Sequence, residues 1–165
     1  MNKILLFSLV SYVIGSISGS LLLGKLWNID IRNFGSKSAG GTNALRTVGF
    51  IFALLTFLID LSKGLIPTYL IGYYSDYNEI EMMVGGFAAI LGHVYPIFHG
   101  FNGGKGAATL LGALIILNPL SLAYILPTWI LILVFSGFVG LSTVLAALAL
   151  LIYSVIKLNI NFQIF

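Results

Sequence analysis

Cysteine is absent from this chain, and charged residues are scarce. Without cysteine the chain can form neither a disulfide framework nor a thiolate nucleophile. Charged residues make up only 8% of the 165 residues, and the two histidines and five acids show no metal-ligand spacing. We therefore expect no metal site and no cofactor.

Apolar residues take the place of the missing charge. They make up 59% of the sequence, and the mean hydropathy is +1.06, more than a soluble domain of this length needs for its core. The composition predicts an all-α, polytopic bundle of transmembrane helices. No soluble domain or linker is visible, so a single integral membrane domain over residues 1–165 is expected.

Apolar stretches long enough to cross or enter a bilayer alternate with short polar segments. The first stretch reads as a span and not as a cleaved signal peptide, because apolarity resumes after its small residues. Asp60, Lys63, Gly64 and Pro67 interrupt the second stretch, which predicts a half-helix followed by a full helix. Segments 107–117 and 120–135 are expected to form an out-and-back pair, and 137–142 an inner turn. The predicted stretches are 4–26, 47–74, 82–98, 107–117, 120–135 and 143–156.

The positive charge is concentrated between the first two spans. Four of the eight basic residues, Lys25, Arg32, Lys37 and Arg46, lie there, which places this segment in the cytoplasm and the amino terminus outside. Counting spans brings residues 92–109 back to the same side. The net charge of +3 thus reflects the orientation of the chain in the membrane. No nucleic-acid partner is expected.

Residues 92–109, GHVYPIFHGFNGGKGAAT, predict a phosphate-binding loop. Gly103, Gly104 and Gly106 leave no Cβ around Lys105, so backbone N–H groups can surround an anion that the ammonium neutralises. The helix predicted from 107 would point its amino-terminal end at the same anion. The spacing differs from a nucleotide P-loop, which disfavours ATP. The alternative is that the glycines only allow close helix packing and Lys105 reaches the membrane interface.

A second glycine-rich segment, NIDIRNFGSKSAGGTNALR, covers residues 28–46. Gly35 allows backbone donors to turn inward, Ser36, Thr42 and Asn43 add short polar side chains, and Arg46 offers a planar fork for phosphate oxygens. The alternative is a surface turn that ends in a helix cap.

Asp60 and Lys63 stand three residues apart on one helical face. They can simply pair with each other. Alternatively, Asp60 orients a cationic group of the site, because ion pairs at membrane depth usually face a polar cavity.

Several motifs in order resemble the bacterial membrane acyltransferases that move an acyl group from acyl phosphate to sn-glycerol 3-phosphate. The resemblance covers nearly the whole chain. The matching segments are Gly15-Ser16-Ile17, Asp30-Ile31-Arg32, GSKSAGGTNALR, the Asp60/Lys63/Gly64/Pro67 spacing of D-x-x-K-G-x-x-P, GHVYPIF and FNGGKGAAT.

The resemblance implies roles residue by residue. Implied catalytic residues are Ser36, Arg46, Lys105 and His93. Implied substrate-binding residues are Gly35, Thr42, Asn43, Gly103, Gly104 and Gly106, with Asp60 and Lys63 in support. His93 matches a histidine near the active site and is an alternative general base to a departing phosphate oxygen.

The chain also departs from the family pattern. Lys37, Ser38, Ala39 and Gly41 replace usual residues of the first loop, and Gly137 and Gly140 replace an arginine and a serine. Family members usually continue to an inner R-H-x-x-N-I segment, for which residues 156–160 are no substitute. The chain is therefore expected to lack the final helix.

The implied function is the first step of phospholipid synthesis, in which acyl phosphate and glycerol 3-phosphate give 1-acyl-glycerol 3-phosphate and phosphate. The implied location is the bacterial inner membrane, among membrane lipids, with the site facing the cytoplasm; the oligomeric state is left open. Two alternatives remain: a shortened, weak or inactive member that binds phosphate or lipid, and an anion transporter built from broken helices.

Overall fold

The computed structural model describes the backbone of residues 3–163 and the side chains of residues 3–157. All regular structure in this part of the chain is helical. Short 3-10 turns occur at Ile31–Asn33, Ile97–His99 and Pro119–Ser121. The α-helices are α1 Lys3–Gly15, α2 Gly19–Trp27, α3 Gly41–Thr47, α4 Phe50–Tyr74, α5 Glu79–Val94, α6 Ala107–Leu117, α7 Leu122–Ser136 and α8 Val139–Gln163.

Helices α1–α6 form one compact unit, and α7 with α8 forms another; a single domain over residues 1–165 stays a prediction. Five helical stretches of the described chain are long and apolar enough to cross a bilayer, as expected for a multi-pass membrane protein. They are Lys3–Trp27, Phe50–Tyr74, Glu79–His99, Pro119–Ser136 and Val139–Lys157.

Burial in the first unit is the reverse of that in a soluble protein. Large apolar side chains are exposed, with Phe50 at 70% and Ile51 at 72%, whereas small polar residues such as Ser16, Ser20 and Thr56 are fully buried. Lipid tails are as apolar as these exposed side chains, so helix association in a membrane depends on close packing and polar contacts.

Glycines allow two helix pairs to pack backbone against backbone. A Cβ at Gly64 of α4 would overlap the carbonyl oxygen of Thr109, and one at Gly112 of α6 would overlap the carbonyl oxygen of Leu61. Gly15 of α1 lies in the same way against Ala89 of α5. Small residues thus allow the helix backbones to approach closely at these positions.

The predicted interruption of the second span is wrong, because α4 is one continuous helix of 25 residues. Asp60 and Lys63 pair with each other inside the bundle and need no loop to reach water. Pro67 lies inside the helix, and beside it the hydroxyl of Thr68 donates to the carbonyl oxygen of Gly64 at 2.7 Å. Polar partners within the protein thus allow proline and charge inside a membrane helix.

The half-helix of the first unit is α6. Its 11 residues span only about 16 Å at ~1.5 Å per residue, roughly half of the ~30 Å hydrocarbon core. The hydroxyl of Thr109 donates to the carbonyl oxygen of Asp60 at 3.0 Å, so α6 begins beside the middle of α4. Gly112 then packs against Leu61 and Leu65, which shows that α6 runs alongside the second half of α4.

In the second unit, α7 ends at Ser136, and Gly137 caps it in a left-handed conformation with φ +70°. The predicted turn over 137–142 is too long, because α8 begins at Val139. Ser142 and Thr143 lie within this helix and donate their hydroxyls to carbonyl oxygens one turn earlier. The out-and-back pair of 107–117 and 120–135 stays a prediction, and the side chains of 158–160 lie outside the described residues.

Candidate functional site

Asn43 holds the first glycine-rich loop in shape from within. Its side chain is 2% exposed, and its Nδ2 lies 2.9 Å from the carbonyl oxygen of Ile31 and 3.1 Å from those of Phe34 and Ser38. Its Oδ1 accepts the backbone N–H of Ser36 at 3.0 Å. The amide is thus engaged with the loop backbone, which indicates a scaffolding role where the sequence suggested direct substrate contact.

Arg32 joins the first loop to the turn that precedes the second. Its guanidinium forms an ion pair with Asp30, with Nη2 to Oδ2 at 2.8 Å, and its Nη1 donates to the carbonyl oxygen of His99 at 3.2 Å. The hydrogen bond from Arg32 lowers the pKa of the Asp30 carboxyl below its usual value. Asp30 therefore stays ionised at neutral pH and holds Arg32 in place.

The second loop is packed against His93, near the carboxyl end of α5. The backbone N–H of Gly104 donates to the His93 carbonyl oxygen at 3.2 Å. A Cβ at Gly103 would overlap this oxygen, and a Cβ at Gly104 would overlap Nε2 of the His93 ring. The N–H of Gly104 therefore points at His93 and not at an anion, so an anion at this loop would rely on the other donors.

The two glycine-rich loops are in direct contact. The N–H of Ala39 in the first loop donates to the carbonyl oxygen of Gly103 in the second at 3.3 Å. The hydroxyl of Ser20 on α2 donates to the carbonyl oxygen of Ala39 at 2.8 Å and ties the pair to the first span. The prediction that span counting brings both loops to the same end of the bundle is confirmed.

Polar and cationic side chains remain exposed on both loops. Arg46 lies in the last turn of α3, Lys105 lies between Gly104 and Gly106, and both are exposed, as are Ser36 and Thr42. Among the residues that the structure describes, the Arg46 and Lys105 side chains form no salt bridge. Gly106, with φ +80°, turns the chain into α6. The loops thus offer two cations and several donors to an anion.

A cluster of buried ionisable residues lies beneath the second loop. Asp60, Lys63 and His93 are 1%, 4% and 5% exposed. Lys63 Nζ lies 2.9 Å from Asp60 Oδ1 and 2.9 Å from His93 Nδ1. The predicted Asp60–Lys63 pair is confirmed, and the contact of Lys63 with His93 was not predicted, because 30 residues separate them in sequence.

Sequence reasoning also missed residues that hold the site together. The hydroxyl of Ser20 joins α2 to the first loop, and that of Thr109 joins α6 to α4. A hydroxyl inside an apolar span was the available signal. Arg32 belongs to a recognised motif, but only its contact with His99 reveals what it does.

Comparison with known proteins agrees with this architecture. The family model described as glycerol-3-phosphate acyltransferase matches residues 5–165. A glycerol-3-phosphate acyltransferase of Finegoldia magna is 39% identical over 162 residues, which cover 98% of this chain and 81% of that protein. One from Chlorobium luteolum is 42% identical over 160 residues, covering 90% of this chain and 68% of that protein.

A solved structure has the same fold. The crystal structure of PlsY (YgiH), an integral membrane glycerol 3-phosphate acyltransferase, in its glycerol 3-phosphate form matches with a TM-score of 0.87 and 32% identity. The match covers 94% of this chain and 78% of that one. The lysophosphatidic acid form of PlsY matches with a TM-score of 0.85. On the family model and on identities of about 40% over most of both chains, this membrane protein belongs to the glycerol-3-phosphate acyltransferase family.

Proposed function

We propose that this protein transfers an acyl group from acyl phosphate to the 1-hydroxyl of sn-glycerol 3-phosphate, giving 1-acyl-glycerol 3-phosphate (lysophosphatidic acid) and inorganic phosphate. The acyltransferase activity is that of the family, and phospholipid synthesis begins with this product. The observation that carries the proposal is the contact between Ala39 and Gly103, which joins two glycine-rich loops with exposed cations. Both substrates carry phosphate, and each loop offers the donors that phosphate requires.

The reaction needs no covalent enzyme intermediate. The glycerol hydroxyl oxygen attacks the acyl carbonyl carbon and forms the ester bond. The bond between that carbon and the bridging phosphate oxygen then breaks, and phosphate leaves with the electron pair. The hydroxyl proton passes to a departing phosphate oxygen. The two substrates thus account for every atom and electron pair of the reaction.

Positioning and charge neutralisation are the protein's main contributions. Holding two reactants in line can supply about 7–11 kcal/mol of a barrier, and Arg46 and Lys105 would stabilise the charge that develops on the leaving phosphate. Ser36 and Thr42 are exposed on the first loop and can donate to a phosphate oxygen. Asn43 and the glycines Gly35, Gly103, Gly104 and Gly106 shape the loops that present these groups.

The depth of the second loop suits a substrate with a lipid tail. Because α6 begins beside Asp60 in the middle of α4, we expect the GGKG loop to lie below the membrane surface. An acyl phosphate could keep its chain among the lipid tails while its head group reaches Lys105. We place both loops on the cytoplasmic side of the bacterial inner membrane, since the basic residues lie on the segment between the first two spans.

The test is turnover by the purified full chain in lipid nanodiscs. We expect formation of lysophosphatidic acid from palmitoyl phosphate and glycerol 3-phosphate, with release of one phosphate per ester. Palmitoyl-CoA should not replace palmitoyl phosphate, because a thioester has no phosphoryl group on the reacting carbonyl. Turnover with the thioester alone would contradict the donor assignment, and no ester from either donor would contradict the activity.

Arg46→Ala is the matched variant for this assay. Its side chain is exposed, so the variant should fold while losing most of its turnover. Full turnover by Arg46→Ala would remove the first loop from the mechanism.

A further inference from the structure

Lys63 has a complete set of hydrogen-bond acceptors. Its Nζ lies 2.7 Å from the carbonyl oxygen of Ile17, 2.9 Å from Asp60 Oδ1 and 2.9 Å from His93 Nδ1. An ammonium group has three N–H donors and no acceptor. The three neighbours therefore use all the donors of a protonated Lys63, which the adjacent Asp60 carboxylate stabilises.

The ammonium group of Lys63 favours one tautomer of His93. An ammonium N–H can donate to Nδ1 only if Nδ1 carries no proton, and a neutral imidazole then carries its proton on Nε2. Asp60 Oδ1 is farther from Nδ1, at 3.5 Å, and it already accepts from Lys63 and from the N–H of Gly19. In this tautomer His93 is a hydrogen-bond donor at Nε2.

The Nε2 donor points at the GGKG loop. A Cβ at position 104 would overlap Nε2, so the ring edge lies directly against Gly104. His93 is 5% exposed, and within residues 3–157 its Nε2 forms no hydrogen bond to another residue, since the only hydrogen bond of the ring is that of Nδ1 with Lys63. Nε2 is not one of the fully enclosed unpaired atoms of the described chain, which are Ser11 Oγ, Thr56 Oγ1, Ser75 Oγ and Glu81 Oε2. A small molecule can therefore reach this donor beside the loop and supply its acceptor.

We propose that His93 Nε2–H donates a hydrogen bond to a phosphoryl oxygen of the substrate held by the GGKG loop, and that Lys63 and Asp60 position this donor. The inference rests on the proposed function for the identity of the substrate, acyl phosphate. It replaces the general-base role suggested by the sequence with a binding role. The amino-terminal end of α6 and Lys105 would contact the same phosphate group.

Two substitutions distinguish the roles of the two ring nitrogens of His93. The side chain of His93→Asn places an acceptor near the Nδ1 position, whereas that of His93→Gln places an amide donor near Nε2. We expect His93→Asn to unfold at the higher temperature, because Lys63 keeps its acceptor. We expect His93→Gln to have the lower KM for palmitoyl phosphate, with KM for His93→Asn raised about ten- to a hundredfold over the unchanged protein.

The opposite ranking of stability and KM distinguishes substrate contact from a structural role. If His93 only supported the fold, the more stable variant would also have the lower KM, and that result would overturn the proposal. Glycerol 3-phosphate provides the internal control, since its KM should differ little between the two variants. His99→Asn and His99→Gln are the matched variants of the other histidine and should give equal KM values for palmitoyl phosphate.

The tautomer can be measured without turnover. In protein labelled with ¹⁵N-histidine, only His93 and His99 contribute signals, and His99→Gln assigns them. We expect an unprotonated Nδ1 and a protonated Nε2 for His93, and a shift of the Nε2 signal when inorganic phosphate is added. A proton on Nδ1, or an Nε2 signal that phosphate leaves unchanged, would overturn the proposal. Absence of acyl transfer alongside the expected spectra would instead contradict the proposed function.

Discussion

At the scale of the residue, burial divides the basic side chains into two groups. Lys63 is 4% exposed and hydrogen bonded to three acceptors, whereas Lys105 is exposed within the second loop. Removing one partner of a buried ion pair leaves an uncompensated charge, which is strongly destabilising. Removing a lysine from an exposed loop leaves no buried charge unpaired, so the fold keeps its stability. The loss should instead weaken binding of the ligand.

We therefore expect Lys63→Ala and Lys105→Ala to fail in different ways. Lys63→Ala should lower the free energy of unfolding by about 3–5 kcal/mol, because Asp60 stays buried without its partner. Lys105→Ala should unfold at an unchanged temperature and lose use of palmitoyl phosphate. Thermal unfolding and initial rates in nanodiscs measure the two effects, with Lys157→Ala as an exposed control outside the loops. Unchanged use of palmitoyl phosphate by a well-folded Lys105→Ala variant would count against the role of Lys105.

Asn43→Ala should loosen the first loop. The change leaves the N–H of Ser36 and the carbonyl oxygens of Ile31, Phe34 and Ser38 without their partner, at a cost of about 1–3 kcal/mol for each group that stays buried. Faster proteolysis between residues 34 and 42 would measure the loosening. Thr42→Ala, beside it and exposed, should leave the proteolysis rate unchanged. A loop equally resistant in both variants would show that Asn43 does not hold it.

At the scale of the element, the interrupted helix lies elsewhere than predicted. The sequence placed the break in α4, where polar residues occur, but Asp60 and Lys63 find partners on α2, α5 and the link between α1 and α2. The short element is α6, whose Gly112 lets it lie against α4. Polar composition alone cannot tell a loop from a buried cluster, because both supply partners for the same side chains.

Gly112→Ala should separate α6 from α4. Its Cβ would overlap the backbone carbonyl of Leu61, which cannot rotate away as a side chain can, and overpacking of this kind costs about 1–3 kcal/mol. The GGKG loop precedes α6, so turnover should fall together with the unfolding temperature. The control is Gly140→Ala on α8, where a Cβ meets nothing within 4 Å and helix propensity favours alanine by about 1 kcal/mol. Equal unfolding temperatures for the two variants would show that close contact at Gly112 is dispensable.

At the scale of the whole molecule, the prediction concerns orientation in the membrane. Because the chain contains no cysteine, labelling of a single introduced cysteine shows whether that one position is accessible to the reagent. Ser38→Cys should be protected from an impermeant maleimide applied to intact cells and become labelled when the membrane is opened, because the first loop carries the basic residues. Asp76→Cys, exposed beyond the far end of α4, should be labelled from outside. The reverse pattern would place both glycine-rich loops outside the cell and contradict the proposed access to cytoplasmic substrates.

The sequence by itself determined the membrane class, the main apolar spans, the family and the two loops, because hydropathy and glycine spacing are local properties. It gave the bounds of α6, 107–117, since apolar residues there lie between a glycine-rich loop and Asn118-Pro119. Only the tertiary structure decided that α4 is continuous, that α6 lies beside its second half, and that Asn43 faces its own loop. It also brought Lys63 to His93 across 30 residues. Such pairings depend on how helices pack side by side, and the periodicity of one helix carries no information about which neighbour it meets.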